Sequence, residues 1–132
     1  MQDVAENTWD PFARGCPSRD VLTKIGDRWT VLVINALAQG PLRYSELHHR
    51  VDGISQKMLS QTLKGLTHDG LVARQVYPEI PPRVEYELTA AGLSLLEPLQ
   101  MLVNWAIAHM DDIVAARKRA ENSRLDLNVN SN

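Results

Sequence analysis

The stretch DGISQKMLSQTLKGLTHDGLV, residues 52–72, constrains the fold most strongly, because a helix through it has two unlike faces. At about 100° per residue, its apolar side chains fall within one arc of roughly 140°. These side chains are Met58, Leu59, Leu63 and Leu66. The opposite arc carries hydroxyls, amides and lysines and consists of Gln56, Lys57, Ser60, Gln61 and Lys64. No acidic residue lies between Gly53 and His68, whereas a solvated helix face usually mixes Glu with Lys.

The segments beside this helix predict a helix-turn-helix followed by a hairpin. Tyr44, Leu47 and Val51 recur at intervals of three and four, which indicates a short helix that ends near Gly53, a left-handed turn residue. Ser55 is predicted to cap the second helix. Two short helices joined by a tight turn that contains Gly make a helix-turn-helix. The runs LVARQVYPEI and PPRVEYELT then predict two antiparallel strands with a stiff loop, because Pro cannot donate to a β-ladder.

Longer helices are predicted on both sides of this unit. An apolar stripe at helical spacing runs over residues 21–37, with Ser18 as its N-cap. Thr89 is predicted to cap a final helix over residues 90–120, which would span about 45 Å at 1.5 Å per residue. Because that length exceeds the diameter of the small domain before it, the apolar stripe of this helix needs another partner. The simplest partner is a second copy of the chain in a two-fold dimer.

The predicted fold class is mainly α with a small β-hairpin wing, a winged helix-turn-helix with a long terminal dimerisation helix. A chain of 132 residues that is 44% hydrophobic suits one such domain with an appended helix. The expected organisation is an N-terminal arm (1–17), a winged helix-turn-helix DNA-binding domain (18–89), a dimerisation helix (90–120) and a flexible tail (121–132).

The net charge, the cysteine count and the sequence motifs exclude several classes of function. A net charge of -2 means that any anion site must be a local patch. A single cysteine supports neither a disulfide framework nor a zinc site built on thiolates. No signal peptide and no membrane span is expected, which predicts a cytoplasmic protein without a membrane partner. The G-x-S-x-G, P-loop and G-x-G-x-x-G patterns are absent, so that no enzyme, catalytic residue, metal or cofactor is expected.

The acid-free face has the properties of a DNA-recognition helix. The major groove admits an α-helix, and Gln, Ser and Lys contact base edges there, whereas an acid would meet phosphates. Arg83 follows Pro81-Pro82 and is predicted to reach the minor groove or a phosphate from a stiff platform. Arg43 lies just before the short helix, whose free N–H groups favour an anion, and it is a candidate phosphate ligand. For either arginine, the alternative is an ordinary solvated side chain.

Cys16 is a candidate redox-sensing residue. It precedes the predicted helix that starts near Ser18, and a helix N-terminus lowers the pKa of a thiol. Arg14 and Arg19 are near in sequence and would lower that pKa further. An accessible thiol of low pKa can form a sulfenic acid or an intermolecular disulfide. The alternative is a small residue packed at the dimer seam.

Two segments, CPSRDVLTKIGDRWTVLVINAL and GPLRYSELHHRVDGISQKMLSQTLKGLTHDGLVARQVYPEIPPRVEYELTAAGLSLL, resemble the HxlR family of bacterial winged-helix transcription regulators. The resemblance runs from about Cys16 to Trp105. It implies a homodimer built from N- and C-terminal helices, and a wing whose Arg83 touches the DNA backbone or minor groove. Some members sense electrophiles, quinones or oxidants through a cysteine near the position of Cys16, and many others carry it with no established sensing role. The residues that it implies in the major groove are Ser55, Gln56, Lys57, Ser60, Gln61 and Lys64.

One position departs from the family pattern. Asp27 stands where the family often has Gly, and such an acid would either weaken a nearby phosphate contact or pair with Arg28.

The sequence therefore predicts a transcriptional regulator that binds double-stranded DNA as a homodimer on palindromic operators, with Cys16 as a candidate switch. Half-sites would lie about 10 base pairs apart, or a multiple of that. One alternative is a regulator that responds to a small molecule bound between the helices instead of to an oxidant. A second alternative is a protein-interaction module, which the net acidity favours, although a docking helix would carry acids or apolar residues on the face described above.

Overall fold

The structure is a computed structural model that describes residues 8–130, with the side chain of residue 130 left out. It is mostly helical and contains a small antiparallel sheet. The chain divides into two compact units, Met1–Glu97 and Pro98–Asn132. In chain order the elements are α1 (Pro17–Ile25), α2 (Arg28–Ala36), a 3-10 turn (Leu37–Gln39), β1 (Leu42–Arg43), α3 (Tyr44–Arg50), α4 (Gln56–His68), β2 (Val72–Tyr77), β3 (Arg83–Leu88) and α5 (Ala90–Asn130).

The predicted single helix over residues 18–37 is wrong, because the chain breaks into α1 and α2. The side chain of Asp27 accepts a hydrogen bond from the backbone N–H of Trp29 at 3.2 Å and so caps α2. The predicted N-cap of the first helix is also wrong: Cys16 holds that position, and Pro17 occupies the first helical position, where its missing N–H costs nothing. The guanidinium of Arg28 lies over the ring of Trp29, 4.4 Å from its centroid.

The core of the first unit is formed by the apolar sides of α2, α3 and α4 and by the start of β2. The apolar arc predicted for α4 is confirmed, since its leucines are buried and Met58 is half-buried. The apolar side chains with less than 5% of their surface exposed are Val33, Ile34, Leu37, Leu47, Val51, Ile54, Leu59, Leu63, Leu66 and Val72. Burial of this arc fixes which face of α4 is left to solvent.

The sheet has the strand order β1-β3-β2, and both pairs are antiparallel. The two predicted strands are confirmed, and the short extended piece Leu42–Arg43 joins them as an edge strand. Val72 pairs with Leu88, and Tyr77 pairs with Arg83. Since residues on one strand alternate between the faces, the burial of Val72 places Arg74 on the same face of the sheet, the one that packs against α4.

The base of the wing is tied to the start of α5, and the predicted Thr89 cap is confirmed. The Thr89 hydroxyl accepts from the backbone N–H of Gly92 at 3.2 Å and donates to the carbonyl of Gly70 at 2.6 Å. Gly92 is buried, and a Cβ there would overlap the carbonyl oxygen of Leu71. This junction therefore requires glycine.

The predicted end of the last helix near residue 120 is wrong, because α5 continues to Asn130. Residues 121–130 are mostly polar and contain neither Pro nor Gly, so that nothing in their chemistry ends a helix. The predicted arm 1–17 and tail 121–132 lie partly outside the described residues. Of the helices that the structure describes, none is long and apolar enough to cross a membrane.

Candidate nucleic-acid interface

The helix-turn-helix is formed by α3, a short turn and α4. Gly53 adopts a φ of 89° in this turn, as predicted, a conformation that other L-residues rarely take. The Ser55 hydroxyl accepts from the backbone N–H of Met58 at 3.0 Å and caps α4, which confirms the predicted cap. The hydroxyl of Ser55 is therefore occupied in starting the helix.

The exposed face of α4 carries amide and ammonium side chains that point to solvent. Gln56, Lys57, Gln61 and Lys64 are all exposed. Within residues 8–130, none of these side chains makes an ion pair or a side-chain hydrogen bond. Their amides and ammonium groups are free to bind an outside partner. We use the name recognition face for these residues together with Ser55 and Ser60.

Tyr44 connects the two helices at the recognition face. Its hydroxyl donates to the carbonyl oxygen of Gln56 at 2.9 Å and lies 3.2 Å from the hydroxyl of Ser60. Tyr44 begins α3, and Gln56 begins α4, so that the phenol fixes the angle between them at the end where both helices start. Ser60 is exposed, yet its hydroxyl already has an internal partner.

Arg43 is exposed at the N-cap of α3. Its backbone N–H donates to the carboxylate of Glu46 at 2.8 Å. The Glu46 carboxylate thus already accepts a hydrogen bond from one of the backbone N–H groups that were predicted to bind a phosphate. The guanidinium of Arg43 makes no ion pair among the residues that the structure describes.

Arg83 lies at the start of β3, and its surroundings differ from the free wing-tip arginine that the sequence suggested. Its guanidinium covers the ring of Tyr77, 4.1 Å from the centroid. It also pairs with the carboxylates of Glu79 at 3.5 Å and Glu85 at 3.4 Å. Because Tyr77, Arg83 and Glu85 occupy one face of the hairpin, the register itself brings these groups together. Any contact with DNA would require Arg83 to exchange these carboxylates for phosphate.

An open cleft of about 800 Å³ lies between α4 and the strands β2 and β3. Lys64 and His68 line it from the helix, and Arg74 and Tyr86 line it from the sheet. Arg74 is exposed and was not among the predicted site residues. In the strand register it lies opposite Tyr86. The signal that could have found it is the alternation of β2, since an arginine two residues after a core valine faces the same helix.

Cys16 is partly exposed at the N-cap of α1. Its Sγ accepts from the backbone N–H of Asp10 at 3.2 Å and lies 3.1 Å from the hydroxyl of Ser18. Hydrogen bonds from the Ser18 hydroxyl, and then from the backbone N–H groups of Asp10 and Ser18, lower the pKa of the Cys16 thiol. The predicted lowering of this pKa is confirmed, and the backbone N–H at the start of the helix contributes to it.

The predicted help from nearby arginines is wrong. The guanidinium of Arg19 points to the arm and donates to the carbonyls of Pro11 at 2.8 Å and Phe12 at 2.7 Å. Neither Arg14 nor Arg19 contributes to the lower pKa of the Cys16 thiol. The arginine instead ties Pro11 and Phe12 to α1.

Metal chemistry has no visible site in the described part of the chain. Among residues 8–130, no group of three or more His, Cys, Asp and Glu side chains could hold a metal ion. His109 stacks on Trp105 with a centroid distance of 4.4 Å, and its Nδ1 lies 2.9 Å from the carbonyl oxygen of the same residue. This histidine therefore has local partners on its own helix.

Comparison with known proteins agrees with this geometry. The family model described as HxlR-like helix-turn-helix matches residues 24–114. The chain is 42% identical over 106 residues to the HTH-type transcriptional regulator YtfH of Escherichia coli strain K12, covering 80% of this chain and 84% of that protein. The solved structure of the regulator ytfH from Salmonella typhimurium matches with a TM-score of 0.78 and 39% identity, over 83% of this chain and 98% of that one. The redox regulator HypR, in its oxidized form, matches with a TM-score of 0.65 and 33% identity, over 70% of this chain and 96% of that one.

Proposed function

Because the chain belongs to the HxlR-like helix-turn-helix family and is a transcriptional regulator of the helix-turn-helix type, we propose that it binds palindromic operators as a homodimer. The observation that carries this proposal is the recognition face of α4, whose lysines and glutamines are exposed and whose side chains have no partner within residues 8–130. A helix with such a face fits the major groove, where the acceptors of bases and phosphates surround it.

The side chains of the recognition face have different roles in this proposal. Gln56 and Gln61 present amides that can pair with adenine, and Lys57 and Lys64 contact guanine or phosphate. Ser55 acts through the cap of α4, and Ser60 acts through its bond with Tyr44. Their hydroxyls keep a free lone pair or donor for a second contact.

The two arginines predicted from the sequence have secondary roles. Arg43 holds a phosphate beside the start of α3 through its guanidinium, since Glu46 already occupies its backbone N–H. Arg83 shapes the wing through its pairs with Tyr77, Glu79 and Glu85 and reaches the DNA backbone only when a phosphate replaces a carboxylate.

The second unit supports the dimer. Six large apolar side chains of α5 are 40–71% exposed, which is unusual for an isolated chain: Met101, Leu102, Trp105, Ile107, Met110 and Val114. Burying them against a second copy gives a two-fold dimer, whose paired recognition faces read half-sites about 10 base pairs apart or a multiple of that. Sedimentation should give twice the 14.8 kDa chain mass, and Trp105→Glu should lower it to that of one chain. A wild-type monomer at micromolar concentration would contradict this part of the proposal.

Selection of tight binders from random duplex DNA tests whether the recognition face distinguishes bases. The wild type should enrich a palindrome, and Gln61→Ala should lose the base preference at one position of each half-site. A bidentate amide–adenine contact discriminates by about 1–3 kcal/mol, so that this position should lose roughly five- to 150-fold of its preference. Gln39→Ala, an exposed glutamine outside the interface, is the matched control. If Gln61→Ala enriches the wild-type sequence unchanged, Gln61 does not read a base.

Cys16 supplies the proposed regulation. Its lowered pKa favours the thiolate, which is the form that oxidants attack. The likeness to a redox regulator supports the same role. Peroxide should weaken DNA binding by the wild type and leave Cys16→Ser unaffected. Equal binding before and after oxidation would discard the thiol switch and favour a small-molecule effector.

A further inference from the structure

The cleft between α4 and the β2–β3 hairpin carries two basic side chains outside the recognition face, those of His68 and Arg74, beside Lys64 of that face. Lys64 and His68 are one helical turn apart on α4, and Arg74 faces them from β2. All three are exposed. A surface that only needs to be solvated usually alternates such basic side chains with acids, which pair with them at this spacing.

The acids near this cleft are already occupied or lie on the other face of the sheet. Asp69, next to His68, is held by Lys24 at 2.7 Å. Glu85 pairs with Arg83, and the register places it opposite Gln75, on the sheet face away from Tyr86. In the described part of the chain, Lys64, His68 and Arg74 make no ion pair.

The two faces of the hairpin therefore differ in charge. The face toward α4 presents Arg74 beside Tyr86, and the opposite face presents Arg83 already neutralised by two carboxylates. The unpaired positive charge of the wing thus lies in the cleft. This is the reverse of what the position of Arg83 beside a proline-rich loop suggested.

We infer that this cleft grips the DNA strand that separates the major groove from the minor groove, with Lys64, His68 and Arg74 donating to neighbouring phosphates. The inference rests on the proposed function, since it assumes that α4 lies in the major groove. A strand that bounds this groove must then pass between α4 and the wing, where the open cleft lies. The guanidinium of Arg74 can hold one phosphate with two donors, and Lys64 and His68 supply donors from the opposite wall.

The salt dependence of DNA binding tests this inference. Each neutralised phosphate contributes about -0.9 to the slope of log affinity against log salt. Arg74→Gln should reduce the steepness of that slope by about 0.9. If the variant and the wild type bind equally at about 1 M salt, the variant should then bind roughly eightfold more weakly than the wild type at about 0.1 M salt. The loss should be equal for the selected duplex and for a scrambled duplex. Arg74→Lys, which keeps the charge, should restore most of the slope.

Arg119→Gln is the matched control, because it removes the same charge from an exposed position of the second unit. Its slope should equal that of the wild type. Thermal unfolding should show that Arg74→Gln is folded, as expected for a substitution at an exposed side chain. A slope for Arg74→Gln equal to that of the wild type overturns the inference and leaves the proposed function intact if wild-type sequence preference persists.

A small-anion site is the competing use of the same cleft. Inorganic phosphate, added at constant ionic strength, should have no saturable effect on DNA affinity if the cleft binds the strand itself. A saturable effect that Arg74→Gln removes would overturn the inference in favour of a free anionic effector. Absence of any preference of the wild type for selected over scrambled DNA would overturn the proposed function as well.

Discussion

The contact of Tyr44 with α4 gives a prediction whose size follows from the structure. Tyr44→Phe removes the hydroxyl that donates to the carbonyl of Gln56 at 2.9 Å and lies 3.2 Å from the hydroxyl of Ser60. A typical internal hydrogen bond contributes about 0.5–1.5 kcal/mol net to stability, and these two lie near the surface, where water replaces them. We therefore expect Tyr44→Phe to lower the free energy of unfolding by about 1 kcal/mol.

Urea denaturation followed by circular dichroism measures this change, at one protein concentration because a dimer's stability depends on it. A loss of about 1 kcal/mol corresponds to a fall in Tm of roughly 3–6 °C for a domain of this size. Tyr86→Phe is the matched control, since the hydroxyl of Tyr86 has no hydrogen-bond partner among the described residues. If Tyr44→Phe and Tyr86→Phe both unfold at the wild-type midpoint, the phenol does not hold α3 to α4.

Three further changes test other parts of the structure. Gly92→Ala should lower the free energy of unfolding by about 1–3 kcal/mol, because a Cβ would overlap the carbonyl oxygen of Leu71, and an unchanged urea midpoint would contradict this close approach. Ser18→Ala should raise the pKa of the Cys16 thiol toward its ordinary value, because it removes the largest stabilisation of the thiolate. The rate of iodoacetamide alkylation against pH should then have a higher midpoint than in the wild type, and an identical pH profile would contradict the cause given for the shift. Lys64→Ala should weaken binding to all duplexes and flatten the salt slope by about 0.9, whereas a change of preferred site would assign Lys64 to base readout.

The parts of the fold set by periodicity and by local turn chemistry were predictable. The apolar arc of α4 is buried, Gly53 has a positive φ, and Ser55 and Thr89 cap the helices that follow them. Each depends on residues within one or two helical turns, where side-chain spacing or a hydroxyl decides the conformation.

The break between α1 and α2 was missed because apolar residues continue at helical spacing across it. Only the pair Gly26-Asp27 marks the break, through an aspartate that caps the second helix. The opposite case lies near residue 120, where a change to polar composition predicts the end of a helix that in fact continues to Asn130. Polarity sets exposure, whereas Pro and Gly end helices.

The positions and partners of the charged side chains on the wing depend on strand register, which the sequence alone does not determine. Arg83 meets Tyr77 and Glu85 because the register places them on one face, and Arg74 faces α4 because Val72 is buried beside it. The alternation of β2 was predicted, but its orientation toward α4 follows from packing between elements distant in sequence.

The recognition face is tested most directly by fluorescence anisotropy with Gln61→Glu. The new carboxylate lies three residues before Lys64 and four after Lys57, so that it should favour the helix while placing negative charge where a phosphate or base acceptor would lie. The variant and the control Gln39→Glu are titrated into the same labelled duplex at fixed salt, after confirming that both keep the wild-type Tm. Gln61→Glu should lose DNA binding, and Gln39→Glu should retain it. Equal affinity of Gln61→Glu and the wild type would show that DNA does not contact this face of α4.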